Sequence, residues 1–392
     1  MFPTIRGFSS LFFATLIMVM GLGLFNVYMG LKLTADGVSE VWVGALMSAY
    51  YFGLVLGARA GYLMIVRVGH VRAFAMASAT AAVMVLAQTL IDDLSLWVVF
   101  RAIVGMSIVV QYIVIESWLN EKTQNQNRGR VFSIYLVVSG LGTALGQMAI
   151  TLYPNLDWRP LTLVAIGHIL CLIPIVWSTQ AHPLVPSPAP LDIRYFIKRV
   201  PQALVTMFLT GSIASVFYSL GAVYGVMQSF DTLQVATFMS ITVLAGLLAQ
   251  WPVGWLSDRM RRDRLIGING VILAVLGVFL WGWLPLSFEW LLVLGAATGT
   301  LQFTLYAQAG SFANDVIPPE KRVNLSATLL MVYGIGATIG PLLAGYLMRL
   351  AGAGMLYVFI SACAVMLFLS MRYIKVKEDP LLAPMETPPI SV

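Results

Sequence analysis

A chain of 392 residues that is 59% hydrophobic and only 10% charged has too little polar surface to cover its apolar content, which excludes a water-soluble domain. Its mean hydropathy is +0.87. The formal net charge of +6 would suggest a nucleic-acid partner in a soluble protein, but here the placement of the cations accounts for it, and no nucleic acid is expected.

The predicted elements begin with Arg6 and an apolar run over 10–32. No small-x-small cleavage site follows, so the run reads as a retained first transmembrane helix. Further runs of about twenty apolar residues, long enough to cross a bilayer, cover 41–65, 73–91, 95–119, 130–153 and 160–179. The stretch 180–200 breaks the pattern with Pro183, Pro186, Pro188 and Pro190, then turns amphipathic and basic at Arg194, Lys198 and Arg199. Six more runs follow over 202–225, 234–256, 265–284, 288–312, 323–347 and 354–373. The proline-rich tail from Lys375 reads as disordered. Residues 1–179 and 201–374 therefore read as two six-helix halves, with a linker over 180–200 and a tail over 375–392. Cys171 and Cys363 each sit inside an apolar run and imply no disulfide framework.

The halves repeat. Residues 105–146 align with 299–340 at a constant offset of 194, without a gap. Gly105 meets Gly299, Tyr112 meets Tyr306, and Gly140, Gly142 and Gly146 meet Gly334, Gly336 and Gly340. A duplicated hydrophobic unit suggests a pseudo-symmetric membrane bundle whose ligand site lies between its halves.

Charge sets orientation. With a cytoplasmic N-terminus, eighteen of the 23 Lys and Arg residues fall on that side, only Lys32, Arg159 and Arg349 fall outside, and Arg59 and Arg101 lie within helices. This is a strong positive-inside bias, with both termini cytoplasmic.

Four features are distinctive. Gly254-Trp255-Leu256-Ser257-Asp258-Arg259 joins the eighth and ninth runs. The corresponding loop between the second and third reads Val66-Arg67-Val68-Gly69, with Val66 where an acid is expected. Arg101 and Gly105 share the fourth run, and glycines recur at Gly140, Gly142, Gly146 and at Gly334, Gly336, Gly340. Glu116-Ser117 with Asn127-Arg128-Gly129-Arg130, and Gln250-Trp251-Pro252 before Gly254, complete the set. Together these resemble the major facilitator superfamily over nearly the whole chain, and within it the YcaD branch of bacterial transporters.

The resemblance implies an all-α membrane protein of twelve transmembrane helices in two pseudo-symmetric halves that rock about a central cavity. It implies a gating loop made of Arg67, Gly69, Glu121, Gly254, Asp258, Arg259 and Asp315. Gly254 and the glycines of helices five and eleven would allow close backbone approach. Asp258 would lie near the start of helix five, and loop arginines would pair with Glu121 and Asp315, offset mates at the ends of helices four and ten. The alternative is topological arginine without a gating role. The resemblance also places the cavity on helices one, four, seven and ten, where Asn26, Tyr28, Gln111, Tyr112, Tyr218, Tyr224, Gln302 and Tyr306 are the polar or aromatic candidates. Each aromatic also has a simple packing reading. Gln302 and Tyr306, four apart, are expected to share one face.

Intramembrane ionisable groups are costly. Arg101 could hold a substrate anion, support a proton relay or tie a neighbouring carbonyl. Glu116, within about one turn of the cytoplasmic end, is the only carboxylate placed inside a helix. Burial favours its neutral form, which makes it a proton-carrier candidate; a partner for Arg67 or Arg128 is the other reading. Arg59 lies opposite a stripe of Gly53, Gly57 and Gly61, and either snorkels or serves the cavity. The stripe is a packing face or a sliding surface.

No phosphate-binding glycine loop is present, so no ATP motor is expected. His70, His168 and His182 are far apart, which argues against a metal-dependent enzyme, and no cofactor is expected. The chain reads as a monomeric secondary active transporter in a bacterial inner membrane. It would move a small organic molecule, amphipathic or anionic, by proton-coupled efflux. Proton-coupled nutrient uptake is the alternative, because Gln147 stands where an export signature has proline. A non-transporting sensor on the same fold is the rival from another class.

Overall fold

The structure, a computed structural model, describes residues 8–123, 128–177 and 193–374. The described part of the linker is its end, and the tail from Lys375 and Asn127 of the branch motif lie outside the described residues. Among the described residues there is no strand.

Among the described residues, twelve long helical segments follow one another. They are α1 (Ser9–Ala35), α2 (Glu40–Val68), α3 (His70–Leu90), α4 (Leu94–Lys122), α5 (Arg128–Ala149) and α6 (Arg159–Leu170, continued by Leu172–Val176). After a short helix at Ile193–Arg199 come α7 (Pro201–Met227), α8 (Thr232–Ser257), α9 (Arg262–Phe279), α10 (Phe288–Gln302, continued by Leu305–Val316), α11 (Arg322–Ala351) and α12 (Met355–Tyr373). Eleven are long and apolar enough to cross a bilayer. The exception is α9, whose eighteen residues open on Arg262-Asp263-Arg264.

Local chemistry sets the ends. Gly69 alone separates α2 from α3 and adopts φ +80°, a left-handed conformation that glycine takes without strain. A Cβ there would meet nothing within 4 Å, so conformation and not space is what requires glycine. Asp93 caps α4 by accepting from the Ser95 and Leu96 amides at 2.7 and 3.1 Å. Asp231 and Gln234 form a reciprocal capping box on α8. Pro174 lacks the amide that would reach Leu170, and α6 is interrupted there. In α10 the interruption at Phe303 and Thr304 is supported by side chains that take the freed carbonyls: Gln250 Nε2 donates to the Phe303 oxygen at 2.9 Å and Asn269 Nδ2 to the Leu301 oxygen at 3.3 Å.

Glycine determines which helices pair. The stripe Gly53, Gly57, Gly61 on α2 lies against Ala102, Met106 and Val110 of α4, and Gly105 of α4 lies against the Tyr50 backbone. The stripe is thus a packing face inside the first half. Gly23 meets Thr143 and Gly146 meets Met20, joining α1 to α5. In the second half Gly211 meets Tyr333, Gly336 meets Phe208 and Gly340 meets Ser212, joining α7 to α11, and Gly299 meets Thr242, joining α10 to α8. At each point backbone replaces side chain, the close approach that drives helix association in lipid. Gly254 departs from this. A Cβ there would meet nothing within 4 Å, so the expected close approach at Gly254 does not occur in this conformation.

The halves touch through α2 with α11, α5 with α8 and α1 with α7. Gly30 meets Ala222, Gly44 meets the Pro341 backbone, Gly345 meets the Glu40 backbone, and Ser240 Oγ donates to the Ala144 oxygen at 3.1 Å. All four lie toward the end where α1 and α7 finish. The fourth helices of the two halves, α4 and α10, form no packed interface with each other among the described residues.

Candidate substrate and coupling site

Two polar clusters lie inside the bundle, both anchored on α4. The first surrounds Arg101, which is fully buried. Its Nη2 donates to Asn26 Oδ1 at 3.0 Å and contacts Met47 Sδ at 2.6 Å. The guanidinium lies over the Phe25 ring at 4.2 Å and the Tyr50 ring at 5.1 Å. These partners come from α1 and α2, so the charge is enclosed within the first half by neutral groups and aromatic faces. Nε and Nη1 have no hydrogen-bond partner, and no carboxylate pairs with Arg101 among the described residues.

The second cluster surrounds Glu116, six residues and roughly 9 Å from the end of α4. Tyr135 of α5 donates to Glu116 Oε1 at 3.1 Å. Tyr112 precedes Glu116 by one turn and lies within its electrostatic range, as does Tyr306 from α10 of the other half. Tyr306 packs edge-on against Tyr333 of α11, with ring centroids 5.4 Å apart. Tyr218 of α7 packs on Phe303 at 5.3 Å and is an electrostatic neighbour of Tyr333 and Tyr112. Tyrosines of both halves thus lie near one another toward the centre, with Tyr112 and Tyr306 within electrostatic range of Glu116. Tyr306 is 44% exposed although it lies roughly 15 Å inside the end of its span, so there is open space beside it. Tyr50 is an electrostatic neighbour of Tyr112, which links the two clusters.

Other cavity candidates go elsewhere. Gln111 is fully buried and donates to Ser78 Oγ at 2.7 Å and toward Cys171 Sγ at 3.8 Å, so it faces α3 and α6 of its own half. Tyr224 is buried, donates to the Leu280 oxygen at 3.1 Å and packs on Tyr357. Tyr28 is 3% exposed, near the end of α1. Gln302 and Tyr306 do not share an environment: Gln302 is fully buried while Tyr306 is open. The interruption of α10 between them removes the helical register on which the expected common face depended. Tyr50, Tyr135 and Tyr333, on helices two, five and eleven, were not among the candidates. An acid placed at lipid depth needs a donor, and Tyr135 on the next helix is the tyrosine that could have been sought for Glu116.

At the loop ends, Arg262 is the loop arginine that pairs with Asp315. Its Nη1 donates to Asp315 Oδ1 and to the Ser311 oxygen, both at 2.7 Å. This pair lies within the second half. Arg259 rests on the Trp255 ring at 3.7 Å. Asp258, expected beside the start of α5, instead faces Arg262 at 3.5 Å and is 76% exposed. Arg67 and Glu121 are exposed at the same end of the bundle, as is Arg59 one helical segment deeper.

A family model described as Major Facilitator Superfamily matches residues 11–309. An uncharacterized MFS-type transporter of Enterobacter sp. (strain 638) is 27% identical over 371 residues, 93% of this chain and 94% of its own. YcaD of Escherichia coli O6:K15:H31 (strain 536 / UPEC), likewise an uncharacterized MFS-type transporter, is 26% identical over 91% of this chain and 92% of its own. Among solved structures, the nucleoside transporter NupG superimposes with TM-score 0.78 at 14% identity, covering 93% of this chain and 99% of that one. A bacterial homolog of the human lysosomal transporter Spinster, inward-facing and unoccupied, gives 0.76 at 15% identity, with 96% and 99% covered. At such identities the structural likeness concerns the fold.

Proposed function

We propose that this chain, which belongs to the major facilitator superfamily of transporters, is a proton-coupled secondary active transporter with Glu116 as its proton-carrying group. The observation that carries the reading is the position of Glu116. It is a helix-borne carboxylate held by Tyr135 on its own half and within electrostatic range of Tyr306 on the other. Gaining or losing a proton there changes the interaction between halves that must move relative to each other. Such coupling of a local charge to a bistable element is what a secondary transporter requires.

The substrate is a small organic molecule with an apolar, ring-like body. Tyr112, Tyr218, Tyr306 and Tyr333 supply aromatic faces and hydroxyls from four helices, which suits an amphipathic ligand. Arg101 is enclosed in this conformation and would meet an anionic group only after α1 and α2 shift. Residues 1–179 and 201–374 act as the two rocking halves, with the linker and both termini on the cytoplasmic side. Efflux across a bacterial inner membrane by a monomer is the leading direction; uptake against Gln147 in helix five is the other. Purified protein in proteoliposomes should accumulate a member of a broad metabolite and drug panel when a pH gradient is imposed. If no member of that panel moves and Glu116→Gln changes nothing, proton coupling is wrong.

A further inference from the structure

We propose that the groove between α9 and α12 binds an anionic glycerophospholipid of the surrounding bilayer. The groove encloses about 450 Å³ on the outer surface of the second half, remote from the tyrosine cluster. Ile268 and Ile272 on its wall are 46% and 44% exposed, as expected of side chains meant for lipid. Its floor is Gly267. A Cβ there would lie 3.7 Å from Phe368 and 3.8 Å from Met371, ordinary contact distances. Gly267 is therefore not needed for close helix approach, and its missing side chain leaves the slot open.

The mouth of the slot is cationic. Arg264 lies in the first turn of α9 and Arg372 in the last turn of α12, and both are exposed lining residues. Asp263 stands beside them but is taken by Arg261, whose Nη2 and Nε reach its two oxygens at 2.8 and 3.2 Å. Arg264 has no carboxylate partner among the described residues, and the Arg372 guanidinium rests 5.7 Å from the ring of its neighbour Tyr373. Arg264 and Arg372 thus line the mouth of the slot with no carboxylate partner among the described residues.

An apolar slot ending in two guanidinium groups at a helix-end level has the chemistry of a phospholipid: acyl chain along the slot, phosphate on the arginines. From Arg264 to Ile272 the wall runs roughly 12 Å, enough for the upper part of one chain. A zwitterionic headgroup would bring an ammonium that finds no unpaired carboxylate among the described residues lining the slot, since Asp263 is paired with Arg261. This selects an anionic lipid. The headgroup would also sit two residues from Arg262, which holds Asp315.

Native mass spectrometry of the purified full-length protein tests this. It would be titrated separately with dioleoyl phosphatidylglycerol, phosphatidylethanolamine, phosphatidylcholine and inorganic phosphate. Phosphatidylglycerol adducts should persist where the two zwitterionic lipids leave none. Arg264→Gln with Arg372→Gln should weaken them about tenfold, the paired lysine substitutions should retain them, and Gly267→Leu should weaken them without a change of charge. Arg349→Gln, at the opposite end, should have no effect. Thermal unfolding of each variant checks that it is folded. Equal adducts on the double glutamine variant, equal binding of phosphatidylcholine, or displacement of phosphatidylglycerol by inorganic phosphate would each overturn the proposal.

Discussion

The Tyr135 hydroxyl donates to Glu116 Oε1 at 3.1 Å, so a carboxylate on α4 is held by the helix that follows it. When Glu116 is ionised, such a hydrogen bond contributes about 1.5–3 kcal/mol. This one fixes the side chain against α5 of the same half. Glu116→Gln keeps the shape and removes the titration. Substrate exchange without a gradient should survive in this variant, and accumulation driven by a pH gradient should be lost. Parallel exchange and gradient-driven assays on one reconstituted preparation check the split.

Arg101 offers a second test. Its charge is fully buried, and its one oxygen partner is Asn26. Asn26→Leu should lower stability by about 3 kcal/mol or more, because it strands a buried cation. Arg101→Met combined with Asn26→Leu removes both partners and should recover part of that loss. A double-mutant cycle in detergent, followed by thermal unfolding, measures the coupling. Additive losses would contradict the pairing.

The glycines separate packing from gating. At Gly53 a Cβ would collide with the Ala102 backbone, whereas at Gly254 it would meet nothing. Gly53→Val should therefore prevent folding or cost several kcal/mol, at about the scale of severe overpacking. Gly254→Ala should leave stability unchanged or raise it by about 0.5–1 kcal/mol through helix propensity. On the proposed gating role of this loop, the transport rate of this variant should fall about tenfold. Melting curves and uptake rates on the same samples separate the two effects.

Arg262 and Asp315 meet at 2.7 Å, but their side chains are 23% and 54% exposed. Such a pair contributes no more than about 1 kcal/mol. Asp315→Asn should barely move the melting temperature. A change in transport rate in this variant would then report gating and not folding.

Ligand binding gives a test that needs no gradient. A ligand at a hundred times its Kd stabilises the folded state by about 2.7 kcal/mol. A thermal-shift screen of metabolites should yield hits whose effect is lost in Tyr306→Ala and Tyr112→Ala and kept in Tyr224→Phe, since Tyr224 bonds the Leu280 carbonyl inside the second half.

Much of the fold was legible in the chain. Spans follow from apolar length, and the spacing of Gly53, Gly57 and Gly61 marked a close-packed face before its partner was known. Azimuth was the difficulty. These helices are apolar on all sides, so nothing distinguishes a face toward the cavity from one toward lipid or a sister helix. Gln111 and Tyr224 were placed in the cavity by helix number alone, and each turns into its own half. Gln302, placed likewise by helix number, was expected to share a face with Tyr306 by helical register, which fails where Gln250 and Asn269 bind carbonyls at the interruption of α10. Tyr135 and Tyr333 were missed because helices five and eleven were read only for their glycines.

Proton movement measured during substrate transport tests the role of Glu116 most directly. Proteoliposomes loaded with a pH-sensitive dye, given substrate without any imposed gradient, should show a pH change that starts with substrate and scales with its flux. Glu116→Gln should move substrate with no pH change. A pH change of equal size in Glu116→Gln, or substrate flux without proton movement in the unaltered protein, would contradict the assignment.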